Sequence, residues 1–185
     1  MTVALAELIQ VILRDYALPV HGHHGVAHWA RVLENGLALA PRTGANTEVV
    51  RLFAVLHDSR RINEAIDHLH GRRGADFAAS LRGTWIDLPD ADFELLYQAC
   101  ALHTDGLTAG DVTVQTCWDA DRLDLARVYI QPRAEFLCTE AARKADFMSW
   151  AATRGAQRAV PHLVADEWHI QLPPPRSKAE HGSGQ

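Results

Sequence analysis

The sequence predicts an all-α fold, a helical bundle, and three observations carry that expectation. Apolar residues recur at the helical period, first as Leu5, Leu8, Ile9, Ile12 and Leu13 and again in later segments. Breakers fall between those segments at helix-length intervals, at Pro19, Pro41, Gly44, Gly83, Pro89, Gly106 and Pro132. Nowhere do apolar and polar residues alternate for long enough to argue for a sheet.

The elements follow in order. Ala4 to Tyr16 is an amphipathic first helix that packs over the core. The stretch from Leu18 to Gly25 breaks it, and a second helix runs from about Val26 to Ala40, stopped by Pro41 and the loop Thr43-Gly44-Ala45-Asn46, with His28 in its first turn. Thr47 is the expected N-cap of a third helix, with Glu48 in its first turn. The run from Val49 to Leu56 is apolar on nearly every side, as a central helix must be, and ends at His57-Asp58. After the polar stretch from Ser59 to Glu64 a helical pattern resumes through His70 to Leu81. Asp90 or Asp92 is expected to cap a helix that ends at His103-Thr104-Asp105-Gly106, and Asp111 to cap the next, which continues through Arg127. A last helix is expected from about Glu140 to Arg154. Residues 1–171 read as one helical domain and 172–185 as a flexible C-terminal tail, since Pro173-Pro174-Pro175 and the polar residues after them add no core.

Composition narrows the function classes. A chain of 185 residues, 48% hydrophobic, is within the size of one domain with one core. A net charge of −5 argues against broad attraction to nucleic acid or an anionic membrane, and no basic stripe is interleaved with aromatics, so a nucleic-acid partner is not expected. The N-terminus has no basic leader pattern and no apolar stretch is long enough to span a bilayer, so a cytoplasmic location is expected. Cys100, Cys117 and Cys138 are odd in number and widely spaced, which fits buried free thiols better than a disulfide framework or a zinc ribbon.

The chemistry is concentrated at helix ends. His57-Asp58 closes the most apolar helix, His28 lies upstream, and Asp119 and Asp121 lie downstream, so that imidazoles and carboxylates from separate helices can converge in a bundle core. A divalent ion that activates water needs that mixture of ligands and open positions for water and substrate. Residues two apart on a helix lie on nearly opposite faces, so only one of Asp119 and Asp121 should meet the metal. Asp124, three beyond Asp121, shares its face and is placed to support the site from behind.

The order His28, His57-Asp58, Asp121 on successive helices resembles the HD-domain superfamily of metal-dependent phosphohydrolases, over about residues 24–127. The resemblance implies an HD-type helical bundle with a metal site in its core. It selects Asp121 over Asp119, because Ala120-Asp121-Arg122-Leu123 matches the family's Ala-Asp-x-Leu pattern, and leaves Asp119 to an outer or solvent role. It also implies that His70, spaced His-x-x-x-Gly-Ala from Gly74-Ala75, and His103 complete a dinuclear site like that of two-metal relatives. Six ligands, His28, His57, Asp58, His70, His103 and Asp121, would hold two divalent ions of the set Fe, Mn, Mg, Co, Ni and Zn, with Asp58 as the bridge because a carboxylate has two oxygens.

The expected activity is therefore metal-dependent hydrolysis of a small phosphorylated molecule, such as a nucleotide, through metal-activated hydroxide. Asp58 carries the catalysis, Arg60, Arg61 and Arg72 follow the ligands closely enough to clamp phosphate oxygens, and Glu64 is a candidate proton shuttle. Where relatives read Asp-x-Gly-Lys, this chain reads Asp58-Ser59-Arg60-Arg61, which leaves open whether Arg60 or Arg61 faces the site. The same six ligands also serve di-iron oxygenases of this superfamily, and a non-catalytic metal or nucleotide sensor is the third reading. Of the 11 histidines, His21, His23, His162, His169 and His181 are uninvolved, His68 is a solvated neighbour, and His24 is either a support for the site or structural.

Overall fold

The structure is a computed structural model and describes residues 4–173. Among them the chain forms α1 (Leu5–Arg14), α2 (Val26–Thr43), α3 (Thr47–Leu56), α4 (His70–Leu81), α5 (Asp90–Leu102), α6 (Val112–Arg122), α7 (Ala145–Ala156) and the short α8 (Leu163–Asp166). Two 3₁₀ turns, Leu125–Val128 and Ala134–Phe136, lie between α6 and α7. The described residues contain no strand, only an isolated bridge between Arg82 and Ile86.

α3 is the axis of the bundle because its sequence leaves it no polar face. Val49, Val50, Leu52, Phe53, Ala54, Val55 and Leu56 are all buried, and α1, α2, α4, α5 and α6 all touch this helix. α1 lays Leu5, Leu8, Ile9 and Ile12 onto it. Each such side chain, fully withdrawn from water, stabilises the fold by roughly 1.5–3 kcal/mol. α7 packs on the first 3₁₀ turn and on α2, where Leu39, Leu123, Leu137, Ala142, Phe147 and Ala151 form a second, smaller core.

Several boundaries differ from expectation. Pro41 does not stop α2 but sits in its last turn. There the missing N–H costs one hydrogen bond, the Thr43 hydroxyl donates to Leu39 O, and Gly44 at φ 79° ends the helix. Asn46, not Thr47, caps α3, its side-chain oxygen accepting from Glu48 N and Val49 N. Asp90 and Asp92 cap nothing and lie in the first turn of α5, where they meet the positive end of its dipole. Asp111 caps α6 as expected, but the chain tightens into a 3₁₀ turn before reaching Arg127. α7 begins at Ala145 rather than Glu140, because residues before it are tied to Asp119 in a turn. The tail expected over 172–185 lies outside the described residues, apart from its first two positions. No helix of the described residues is long and apolar enough to cross a membrane. Cys100 and Cys117 are buried and Cys138 half-buried, all three free.

Candidate metal centre

All six residues expected to bind metal come together, each from a helix end. His28 lies in the first turn of α2, His57 caps the C-terminus of α3 with Asp58 next to it, His70 begins α4, His103 caps α5 and Asp121 is near the end of α6. They divide into two halves that share Asp58. In the first, His28 Nε2 is 3.1 Å from His57 Nε2, 3.4 Å from Asp121 Oδ1 and 3.5 Å from Asp58 Oδ2. In the second, His70 Nε2 is 2.9 Å from His103 Nε2 and 3.1 Å from Asp58 Oδ1, with His103 Nε2 at 3.7 Å from that same oxygen.

The four imidazoles share one orientation. His57 Nδ1 faces Phe53 O at 3.1 Å, His103 Nδ1 faces Cys100 O at 2.7 Å and His70 Nδ1 faces Asp67 O at 2.5 Å. His28 Nδ1 faces Asp124 Oδ2 at 2.8 Å. A carbonyl or carboxylate oxygen can only accept, so in each case Nδ1 carries a proton, and Nε2, wherever the ring is neutral as a metal requires, presents a lone pair. Pairs of lone pairs facing each other at 2.9–3.1 Å repel unless a cation lies between them. Asp58 Oδ1, also buried, has no hydrogen-bond partner in the protein. These two observations are what a divalent ion in each half would satisfy, and the donor set of imidazole and carboxylate suits such ions.

Electrostatics agree with that fit. Burial pushes His57 down to about 3, so its ring is neutral and ready to bind a metal at neutral pH. Burial alone would raise Asp58, but the neighbouring His57, the closely packed His103 and His28, and the 2.8 Å contact with His24 Nδ1 hold it well below the carboxylate range. Asp121 is lowered likewise, against burial, by His57, Arg127, His28 and His103. His103 moves the other way: burial opposes its charge, but Asp58 and Asp121 outweigh it and raise it above the ordinary imidazole value. Among the six side chains Asp121 is the most accessible, at 14%, while His28 and His57 are at 0%.

Two glycines allow the halves to meet. A Cβ on Gly74 would lie 2.7 Å from Leu56 O and 2.9 Å from His57 O, and one on Gly71 would lie 2.6 Å from Cys100 O. α4 therefore crosses the ends of α3 and α5 at backbone contact, which brings His70 to Asp58 and His103.

The arginines divide. Arg61 belongs to the site, with Nη1 at 3.1 Å from His70 Nε2 and 3.6 Å from Asp58 Oδ1. Arg60 turns away: it donates to Ile12 O and covers the ring of Phe77 at 3.4 Å, which takes its cation to the packing of α1 and α4. Arg72 is on the solvent face of α4, paired with Asp76 at 3.1 Å. Neither is brought to the candidate ligands. Glu64 is near, its Oε2 buried without a hydrogen bond and 3.8 Å from His24 Nε2. His24 supports the site, its Nδ1 2.8 Å from Asp58 Oδ2. Asp119 has no solvent role: it is fully buried and accepts from Cys138 N, Thr139 N and the Thr139 hydroxyl, fixing the loop that follows. Trp29 and Trp118 are core residues.

Sequence reasoning missed two arginines. Arg31, one turn after His28, grips Asp124 through Nε at 2.7 Å and Nη2 at 2.9 Å. Arg127 donates to His23 O and Asp124 O and brings Nη2 within 4.0 Å of Asp121 Oδ1. Their i+3 spacing from His28 and from Asp124 was the available signal. A cavity of about 290 Å³ opens beside the second half, lined among others by Arg61, Ile66, His70, Thr104 and Asp105. A larger groove of about 480 Å³, at Leu37, Trp150 and Val160, contains none of the metal-centre residues.

No protein-family model matches the chain, and no curated protein matches it. Among solved structures it is similar to the crystal structure of a predicted HD superfamily hydrolase from an uncultured Thermotogales bacterium, with a TM-score of 0.59 and 26% identity. The match covers 83% of this chain and 86% of that one. The all-helical fold is that of the HD domain.

Proposed function

We propose that the protein is a metal-dependent phosphohydrolase acting on a small phosphorylated molecule, a nucleotide being one candidate. The observation that carries the reading is Asp58: a buried carboxylate with one oxygen turned to each of two histidine clusters, Oδ1 accepting no hydrogen bond, in a fold shared with a predicted hydrolase. Two divalent ions held by His28, His57, Asp58 and Asp121 and by Asp58, His70 and His103 would supply Lewis acidity and a hydroxide at neutral pH.

The remaining chemistry belongs to the chain's own residues. Arg61, beside Asp58 Oδ1 and facing the cavity, is placed to bind a phosphoryl oxygen through charge-assisted hydrogen bonds. Arg127 balances charge behind Asp121. Asp121 is the most accessible of the six side chains. His24 holds the outer oxygen of Asp58 and faces Glu64, which can take up or release a proton at Oε2.

The test is elemental analysis and phosphatase assay of protein purified without chelator, beside Asp58→Ala and a His70→Ala, His103→Ala double variant. Two ions are expected per wild-type chain, one in the double variant and none in Asp58→Ala, which should also lose phosphatase activity. Full activity in Asp58→Ala defeats the proposal. So do two bound irons with oxygen uptake and no hydrolysis, which mark an oxygenase, and tight ligand binding without turnover, which marks a sensor.

A further inference from the structure

We infer that Arg31 is a positioning residue for the metal centre, acting on His28 through Asp124 and fixed in turn by the C-terminal end of α7. The inference rests on the metal-centre reading above and adds a residue to it.

α2 and the end of α6 form a two-rung ladder. The inner rung is His28 against Asp121, with Nε2 to Oδ1 at 3.4 Å. Three residues further along each strand of chain, the outer rung is Arg31 against Asp124, a forked pair at 2.7 and 2.9 Å. A diagonal joins the rungs, His28 Nδ1 to Asp124 Oδ2 at 2.8 Å. His28 and Arg31, three apart, share a face of α2, and Asp121 and Asp124 are joined by a turn in which Asp124 N donates to Asp121 O at 2.9 Å, so the rungs are in register. Asp124 is 0% exposed and Arg31 3%, so neither charge has water to turn to. Asp124 accepts from His28 with an oxygen whose position the guanidinium fork decides.

The fork itself has a third anchor. Arg31 Nη1 donates to Ala159 O at 2.8 Å. Ala159 is placed by a Schellman end on α7, in which Ala159 N bonds Arg154 O at 3.0 Å and Arg158 N bonds Gly155 O at 2.9 Å, with Arg158 at φ 50°. Gly155 lets this end come close, since a Cβ there would lie 3.0 Å from Asp124 Oδ1. The other three imidazoles are oriented by a carbonyl three or four residues back in their own segment. His28 alone of the four depends on residues far along the chain, and Arg31 is the link.

Apoprotein is titrated with Co²⁺ or Mn²⁺ by calorimetry and by the visible Co²⁺ spectrum. Wild type, Arg31→Gln, Arg31→Lys and Arg154→Gln are compared, each also in the His70→Ala, His103→Ala background where one ion remains. Loss of a partner behind a metal-binding histidine lowers affinity by about 10–100-fold, and Arg31→Gln is expected to weaken the ion at His28 by that factor and to change its Co²⁺ bands. Arg31→Lys, which keeps the charge but not the fork, should recover part of the loss. Arg154 also packs against α2, at Asn35 and Glu34, but does not touch Asp124, so Arg154→Gln should bind like wild type.

A folded Arg31→Gln protein with affinities within twofold of wild type overturns the inference, as does an equal loss in Arg154→Gln, which would mean general loosening of α2. If Arg31→Gln does not fold, Arg31→Lys decides by the same limit. A wild-type protein that binds no ion defeats the metal-centre reading itself, an outcome separate from metal binding that is indifferent to Arg31.

Discussion

Gly74→Ala has a sign that depends on the close approach of α4 to α3. In an open helix the change would stabilise by about 1 kcal/mol, because alanine loses less backbone entropy. Here the added Cβ meets Leu56 O at 2.7 Å and His57 O at 2.9 Å, both backbone atoms that cannot rotate aside. Restoring an ordinary carbon–oxygen contact of about 3.4 Å requires the helices to part by roughly 0.5–0.7 Å. Overpacking of this kind costs about 1–3 kcal/mol, and each kcal/mol lowers the Tm of a domain this size by roughly 2–4 °C. His70, one turn before Gly74, moves with α4, and metal–ligand distances tolerate only about ±0.2 Å. The contacts of 3.1 Å to Asp58 and 2.9 Å to His103 therefore open, and the second ion should bind at least about tenfold more weakly while the first is retained. Differential scanning calorimetry of the apoprotein and metal titration read both effects. A raised Tm with two ions bound at wild-type affinity would show that α4 does not cross α3 as described.

The arginines and the cluster's acidity give further predictions. Arg61→Gln should lower kcat/KM about tenfold or more, since it removes a charge-assisted donor beside Asp58, whereas Arg72→Gln, on the exposed face of α4, should leave turnover and melting unchanged. Equal effects from the two in steady-state kinetics would refute the assignment. In chelated protein, His57 titrates at about 3 when folded and near 6.5 when unfolded, so the unfolded state holds more protons between those values. The stability His57 contributes is complete above about pH 6.5 and is lost as pH falls toward 3, with Asp58 adding to the loss at the acid end. His103, shifted upward, opposes this only near and above its ordinary value. Tm measured from about pH 7 down to 4 should fall in wild type and fall less in His57→Gln, and parallel curves would contradict the burial of a neutral His57.

What the sequence revealed and concealed follows from the range of the interactions involved. The bundle was legible because apolar period is a local property. Helix-end position drew attention to His28, His57 and Asp58, while Asp121, His70 and His103 were added by the resemblance, and the structure brings all six together. Helix ends decided by one competing residue were less so: Asn46 outcompetes Thr47 as a cap, and Pro41 is tolerated where only one hydrogen bond is at stake. The arginines failed for a different reason. Arg60, Arg61 and Arg72 are alike in sequence, and only the turn after α3 and the placement of Phe77 and Asp76 determine which one faces the ligands. Nothing local to Arg31 or Arg127 marks them as buried, and their burial depends on Asp124 and on residues such as Ala159 and His23 that are distant in sequence. Asp119, legible as a carboxylate but not as a buried one, is explained by backbone N–H groups of Cys138 and Thr139, nineteen and twenty residues on.

On the proposed reading, a single carboxylate that gives Oδ2 to one half and Oδ1 to the other would make occupancy of the two halves a linked equilibrium. Whatever factor an ion in the first half imposes on affinity in the second must be returned in equal measure, because the free energy of the doubly filled state does not depend on the order of filling. Loading should then be cooperative or anticooperative according to whether one ion fixes the Asp58 plane for the other or drains its charge. A change that moves or discharges Asp58 itself should thus register in the dissociation constants of both halves.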